Sequence, residues 1–140
     1  MPRVPGALAL TCGSVARSRI ELAVGQPLAR ETEEHSKFGS TCSYSGGDVS
    51  VTISIHHLTQ ALDLPAELAT LKATFPGSEL HEVKGLAARA FALDIPGVAV
   101  QLHVIPEERE YFLVSVEGVE DGHHGFNAAA KVARAVMNHR

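Results

Sequence analysis

Residues 41–56 constrain the fold more than any other segment. Thr41–Ser45 and Asp48–His56 flank Gly46-Gly47, and paired glycines supply the positive φ that a tight primed hairpin turn demands. The second run alternates without a fault, with Val49, Val51, Ile53 and Ile55 set against Ser50, Thr52 and Ser54. Successive strand side chains point to opposite faces, so one face is apolar and the other rich in hydroxyls. A two-residue Gly-Gly loop pairs Ser45 with Asp48, Tyr44 with Val49 and Cys42 with Val51. Cys42 is therefore expected on the apolar face.

Around this hairpin the chain offers helices and further strands. Residues 14–24 read as a helix with Ser14 as N-cap and Ala16, Ile20, Ala23 and Val24 on one face, ended by Gly25 and Pro27. The polar stretch 29–40 fits a short edge strand or a loop. Pro65–Phe75 has the pattern of a second helix, with Leu64, Leu68, Leu71 and Phe75 as its stripe and Pro76-Gly77 as its stop. Residues 79–84 suit a short strand. Arg89–Ile95, Val98–Ile105 and Tyr111–Glu117 alternate as three more, with a charged loop at 106–110. Pairing Val104 with Phe112 makes their apolar faces coincide and turns Gln101 and His103 outward, opposite Ser115 and Leu113. Residues 125–139 close the chain as an amphipathic helix buried through Phe126, Ala129, Ala130, Ala133 and Met137. The expected class is α+β, an antiparallel sheet with helices packed on one face, in the order α-β-β-α-β-β-β-β-α.

Length and charge remove several function classes. At 140 residues the chain is about one domain, expected over residues 12–140. A net charge of −4 with no Lys/Arg cluster argues against nucleic acid. No apolar run approaches the roughly 18 residues of a membrane helix. Arg3, the apolar run Val4–Leu10 and Cys12 have the outline of a leader. That run is short, begins with Pro and Gly and lacks a small residue before the cysteine. Residues 1–11 are expected to be disordered or the remnant of a leader.

Chemistry-bearing side chains are few. Cys12 and Cys42 are the only cysteines; bridged, they would stabilise the fold by about 3.6 kcal/mol in the chain-entropy model. The alternative is two separate buried thiols. Eight histidines include the doublets His56-His57 and His123-His124, but no CxxC, HxxxH or HExxH spacing occurs, and adjacent strand residues face opposite ways. No metal site or cofactor is expected. The acidic groups Glu31-Glu33-Glu34 and Glu107-Glu108-Glu110 read as solvated loops. Neither a phosphate-cradling glycine motif nor a GxSxG elbow is present, and no catalytic residue is assigned.

A set of short motifs adds a resemblance. Cys12–Gly25 is a cysteine preceding a short helix that ends in Gly, Cys42-Ser43-Tyr44 opens a hairpin, and Val83-Lys84-Gly85-Leu86-Ala87-Ala88-Arg89-Ala90 follows. An Ala-rich helix over Ala128–Val136 ends the pattern. In this the chain resembles small bacterial cell-envelope domains of the lipoprotein type, with Ala87-Ala88 standing where those relatives often carry Gly and an acidic residue. The resemblance implies a disulfide between Cys12 and Cys42, a periplasmic, cell-envelope or secreted location, and no catalysis. The competing location is the cytoplasm.

The function expected is a non-enzymatic binding domain for a protein partner or an apolar ligand, without a nucleic-acid partner. Gln101, His103 and Ser115 are the candidate ligand-binding residues, on a sheet face expected to be open. Three alternatives remain: an inhibitor or immunity-type protein, a His-based metal binder, and an enzyme with its site on that open face.

Overall fold

The computed structural model describes residues 12–86, 88–119 and 122–138; the segment 1–11, with its leader-like outline, lies outside them. Seven strands form one antiparallel sheet: β1 (Arg30–Ser36), β2 (Gly39–Gly46), β3 (Val49–His57), β4 (Glu79–Val83), β5 (Arg89–Ile95), β6 (Ala99–Glu107) and β7 (Glu110–Glu117). Their spatial order is β1-β2-β3-β7-β6-β5-β4. The helices are α1 (Arg17–Val24), α2 (Leu64–Thr74) and α3 (Gly122–Met137), with a 3-10 turn at Cys12–Ser14. The α+β class is as expected, and the polar stretch after α1 supplies one more strand, the fully exposed edge β1.

The hairpin forms, two residues out of its expected register. Gly46 pairs with Val49, Tyr44 with Val51 and Cys42 with Ile53. The turn falls on Gly47, at φ 59°, and Asp48. Gly46 is held in the strand because the chain after α1 crosses it: a Cβ there would lie 2.3 Å from the Pro27 carbonyl oxygen. The Gln26 side chain also donates to the Gly46 carbonyl at 2.6 Å. A shift of two leaves every side chain on its expected face, so Cys42 and Tyr44 are both fully buried.

The inner face carries Val51, Ile53 and Ile55 on β3, Phe112, Val114 and Val116 on β7, and Leu102 and Val104 on β6, all buried. The 3-10 turn sits over β2 and β3, and α3 lies over β6 and β7 and packs against α1. Seven of α3's residues, Ala128, Ala129, Ala130, Val132, Ala133, Ala135 and Val136, are buried. Their small side chains let the helix approach the sheet closely, and a Cβ on Gly125 would already sit 3.1 Å from Val100. Each Val, Leu, Ile or Phe withdrawn from water here contributes about 1.5–3 kcal/mol.

Helix boundaries differ from the expectation at α1. The helix begins at Arg17 with Ala16 in the cap position and no side-chain cap bond, Ser14 belonging to the 3-10 turn. Ala16 is exposed, while Ile20, Ala23 and Val24 are buried. Gly25 ends α1 at φ 80°, as expected. On α2, Asp63 caps the first turn by accepting from the Ala66 amide, and of the expected stripe only Leu71 is buried. Strands β3 and β4 are parallel and separated by β7, β6 and β5, so α2 is the crossover. It runs past the second face of the sheet, where its Glu67 acts electrostatically on Tyr111 and Phe91 and Leu93 are buried.

Candidate functional site

Gln101, His103 and Ser115 do come together. Gln101 pairs with Ser115 and His103 with Leu113 across β6 and β7, on the face opposite the main core. That face is not open here: His103 is 3% exposed and Ser115 8%. Sequence reasoning missed the residue that completes the cluster, Tyr111. Its hydroxyl bonds to Nδ1 of His103, and Nε2 of His103 lies 3.0 Å from Gln101 Oε1. An amide oxygen only accepts, so Nε2–H donates to it, and the neutral ring then accepts from the tyrosine at Nδ1. A bulge aims Tyr111. Val104 pairs with Phe112 and Glu107 with Glu110, leaving Ile105 and Pro106 opposite Tyr111 alone.

Burial pushes the His103 imidazole down to about 4, and burial followed by Glu67 pushes the Tyr111 phenol up. A histidine that resists protonation and a tyrosine that resists deprotonation are a poor base and a poor acid at neutral pH. The cluster is a satisfied polar node beneath the crossover. None of the described cavities is lined by its three predicted residues or by Tyr111.

The roomiest of the described concavities lies on the inner face, where α3 stops covering the sheet. Strands spaced about 4.8 Å apart make this sheet about 29 Å wide, and two helices of about 10 Å each cannot span it. The strip left over β4 and β5 is a cleft of about 530 Å³. Val83, Ala92, Val100 and Phe126 line it as its apolar part; His81, Glu82, Lys84, Asp94 and His123 are its polar residues. Register explains the mixture, since His81 pairs with Ala92, Val83 with Ala90, and Asp94 with both Glu79 and Val100. Glu82 is engaged with Arg89 at 3.6 Å. His123 stands in the first turn of α3 with Phe126 one turn on.

Neither family models, curated proteins nor solved structures gave a match to this chain. Among the described residues no group of three His, Cys, Asp or Glu is arranged to hold a metal ion. His56 and His57 face opposite sides, His56 against Tyr111 and His57 against Glu110. The second acidic cluster is not wholly solvated: Glu110 is buried, with a carboxylate oxygen 3.6 Å from His57 Nδ1.

The Sγ atoms of Cys12 and Cys42 sit at disulfide distance, their Cα atoms 5.8 Å apart. Both residues are fully buried, and the Cys12 amide donates to the Ser40 hydroxyl at 3.2 Å. The pair ties the 3-10 turn to β2, at the other end of the same face from the cleft. No helix of the described residues is long and apolar enough to cross a membrane.

Proposed function

We propose that this protein is a non-enzymatic binding domain that takes a small apolar ligand with one polar end into the cleft over β4 and β5. One observation carries the reading: an apolar lining of Val83, Ala92, Val100 and Phe126 with His81, Lys84, Asp94 and His123 around it, in a cleft of about 530 Å³. Ligand sites are commonly of about 300–1,000 Å³, mostly apolar, with a few convergent polar groups. The apolar part gives affinity through withdrawn area, and the mixed charges orient the polar end.

The cysteine pair supports an oxidising compartment for this binding, because disulfides persist outside the cytosol and are rare within it. The resemblance to lipoprotein-type envelope domains points the same way. Thiol titration on protein purified from its native host tests the compartment; two free thiols argue for the cytoplasm.

Titration of decanoate and decanol into isotopically labelled protein, followed by amide chemical shifts, tests the cleft. Shifts are expected at Val83, Ala92, Val100 and Phe126, and not at Gln101, His103 or Ser115. Shifts centred on the latter three would return the site to the opposite face, and no saturable shift with either probe would refute the apolar-ligand reading.

A further inference from the structure

A second concavity lies on the helical layer itself. Between α1 and α3 runs a groove of about 460 Å³ lined by Arg19, Leu22, Ala23, Lys131, Arg134, Ala135 and Asn138. Every charge in that lining is positive. The chain as a whole has 12 Lys and Arg against 16 Asp and Glu, so three cations without a carboxylate among them are a local inversion of its charge. Among the described residues, none of the three forms an ion pair. Their neighbours on α1 are occupied elsewhere. Arg17 reaches Glu31 at 3.8 Å, and the Glu21 carboxylate accepts from the Leu28 amide at 2.7 Å.

Leu22 is the other anomaly. It is 80% exposed, the most exposed large apolar side chain of the described residues, and it shares the groove with the three cations. Long cationic side chains keep their heads in a polar layer while their stems follow apolar surface. An apolar residue ringed by such cations on a helical surface is the arrangement that lies in a membrane interface, with the leucine entering the acyl boundary and the cations at lipid phosphates. A protein partner fits the groove less well. Protein interfaces anchor through aromatic side chains in desolvated pockets, and this lining has no aromatic residue.

We infer that the α1–α3 groove docks the protein reversibly on an anionic phospholipid surface through Arg19, Lys131, Arg134 and Leu22. This is independent of the cleft: the two lie on different parts of the molecule and share no residue. Each cation near an anionic bilayer is worth about a fivefold gain in partitioning, so the three together give about a hundredfold. Their contribution falls as salt screens it.

Co-sedimentation with vesicles tests the inference. The wild-type protein should pellet with phosphatidylcholine vesicles containing phosphatidylglycerol, much less with phosphatidylcholine alone, and be released by salt. The R19A/K131A/R134A variant should lose about a hundredfold in partitioning. Leu22→Ser should weaken binding without abolishing its preference for anionic lipid. All four positions are at the surface, and a circular dichroism melt checks that the variants fold. Lys72→Ala, on the exposed side of α2, serves as the control and should bind as wild type. Binding that ignores lipid charge, a triple variant that binds as wild type, or no vesicle binding at all would overturn the inference. Capture of soluble polyglutamate without vesicle binding would overturn it in favour of an acidic protein partner.

Discussion

At the scale of single residues, His103 holds a proton balance that stability should report. Its folded value lies near 4 against an ordinary 6.5, because burial disfavours the imidazolium. Between those two values the unfolded chain binds the proton and the folded chain does not, so acid favours unfolding. The stabilisation is whole above pH 6.5 and is lost as pH falls toward 4, at a slope approaching about 1.4 kcal/mol per unit. Urea melts across pH 4–7 should show this slope in the wild type and a flatter one in His103→Gln. A slope unchanged by the substitution would mean that other groups carry it. The position of His103 opposite Leu113 was legible from β-strand alternation. Its burial was not, because alternation reports which way a side chain points and not what lies above it. Tyr111 escaped for a related reason, since the bulge at Ile105–Pro106 that sets it beside His103 interrupts the two-residue period.

At the scale of elements, faces were easier to read than boundaries. The alternation of β3 and the match of Val104 with Phe112 follow directly from residue order, and both are found. The hairpin register was not readable from Gly46-Gly47, because one glycine is needed for a turn and the other for a contact with Pro27, a residue distant in sequence. The edge strand β1 was legible only as one of two readings, a short edge strand or a loop. All its residues are exposed, so no apolar period marks it, and its charged side chains suit an edge that must not recruit further strands. Gly118 shows the same dependence on distant backbone. It sits at φ 85°, and a Cβ there would fall 1.7 Å from the Asp48 carbonyl oxygen at the β2–β3 turn. Gly118→Ala should destabilise the protein by at least about 2 kcal/mol, from left-handed strain and displacement of the turn. A thermal melt within a degree or two of wild type would show that the turn yields freely.

At the scale of the whole molecule, sheet width and helix number decide where a ligand can sit. The 3-10 turn and α3, with α1 packed against α3, cover one end and the middle of the inner face, and the cysteine pair holds the covered end together by joining the turn to β2. Replacing both cysteines with alanine should lower stability by about 3.6 kcal/mol in the chain-entropy model while leaving the cleft, at the other end of the sheet, able to bind. A double variant that melts with wild type would show that the bond constrains little of the unfolded chain. The cleft could not be seen in sequence, because its lining is drawn from β4, β5, β6 and α3 and no two of these strands announce that a helix stops short of them. The most direct test of the account is calorimetric titration of decanoate into wild-type protein and into His81→Trp, a substitution at an exposed position of the cleft that would fill it. The variant should bind at least tenfold more weakly with an unchanged melting temperature, a difference of about 1.4 kcal/mol. Equal affinity in the two proteins would contradict this.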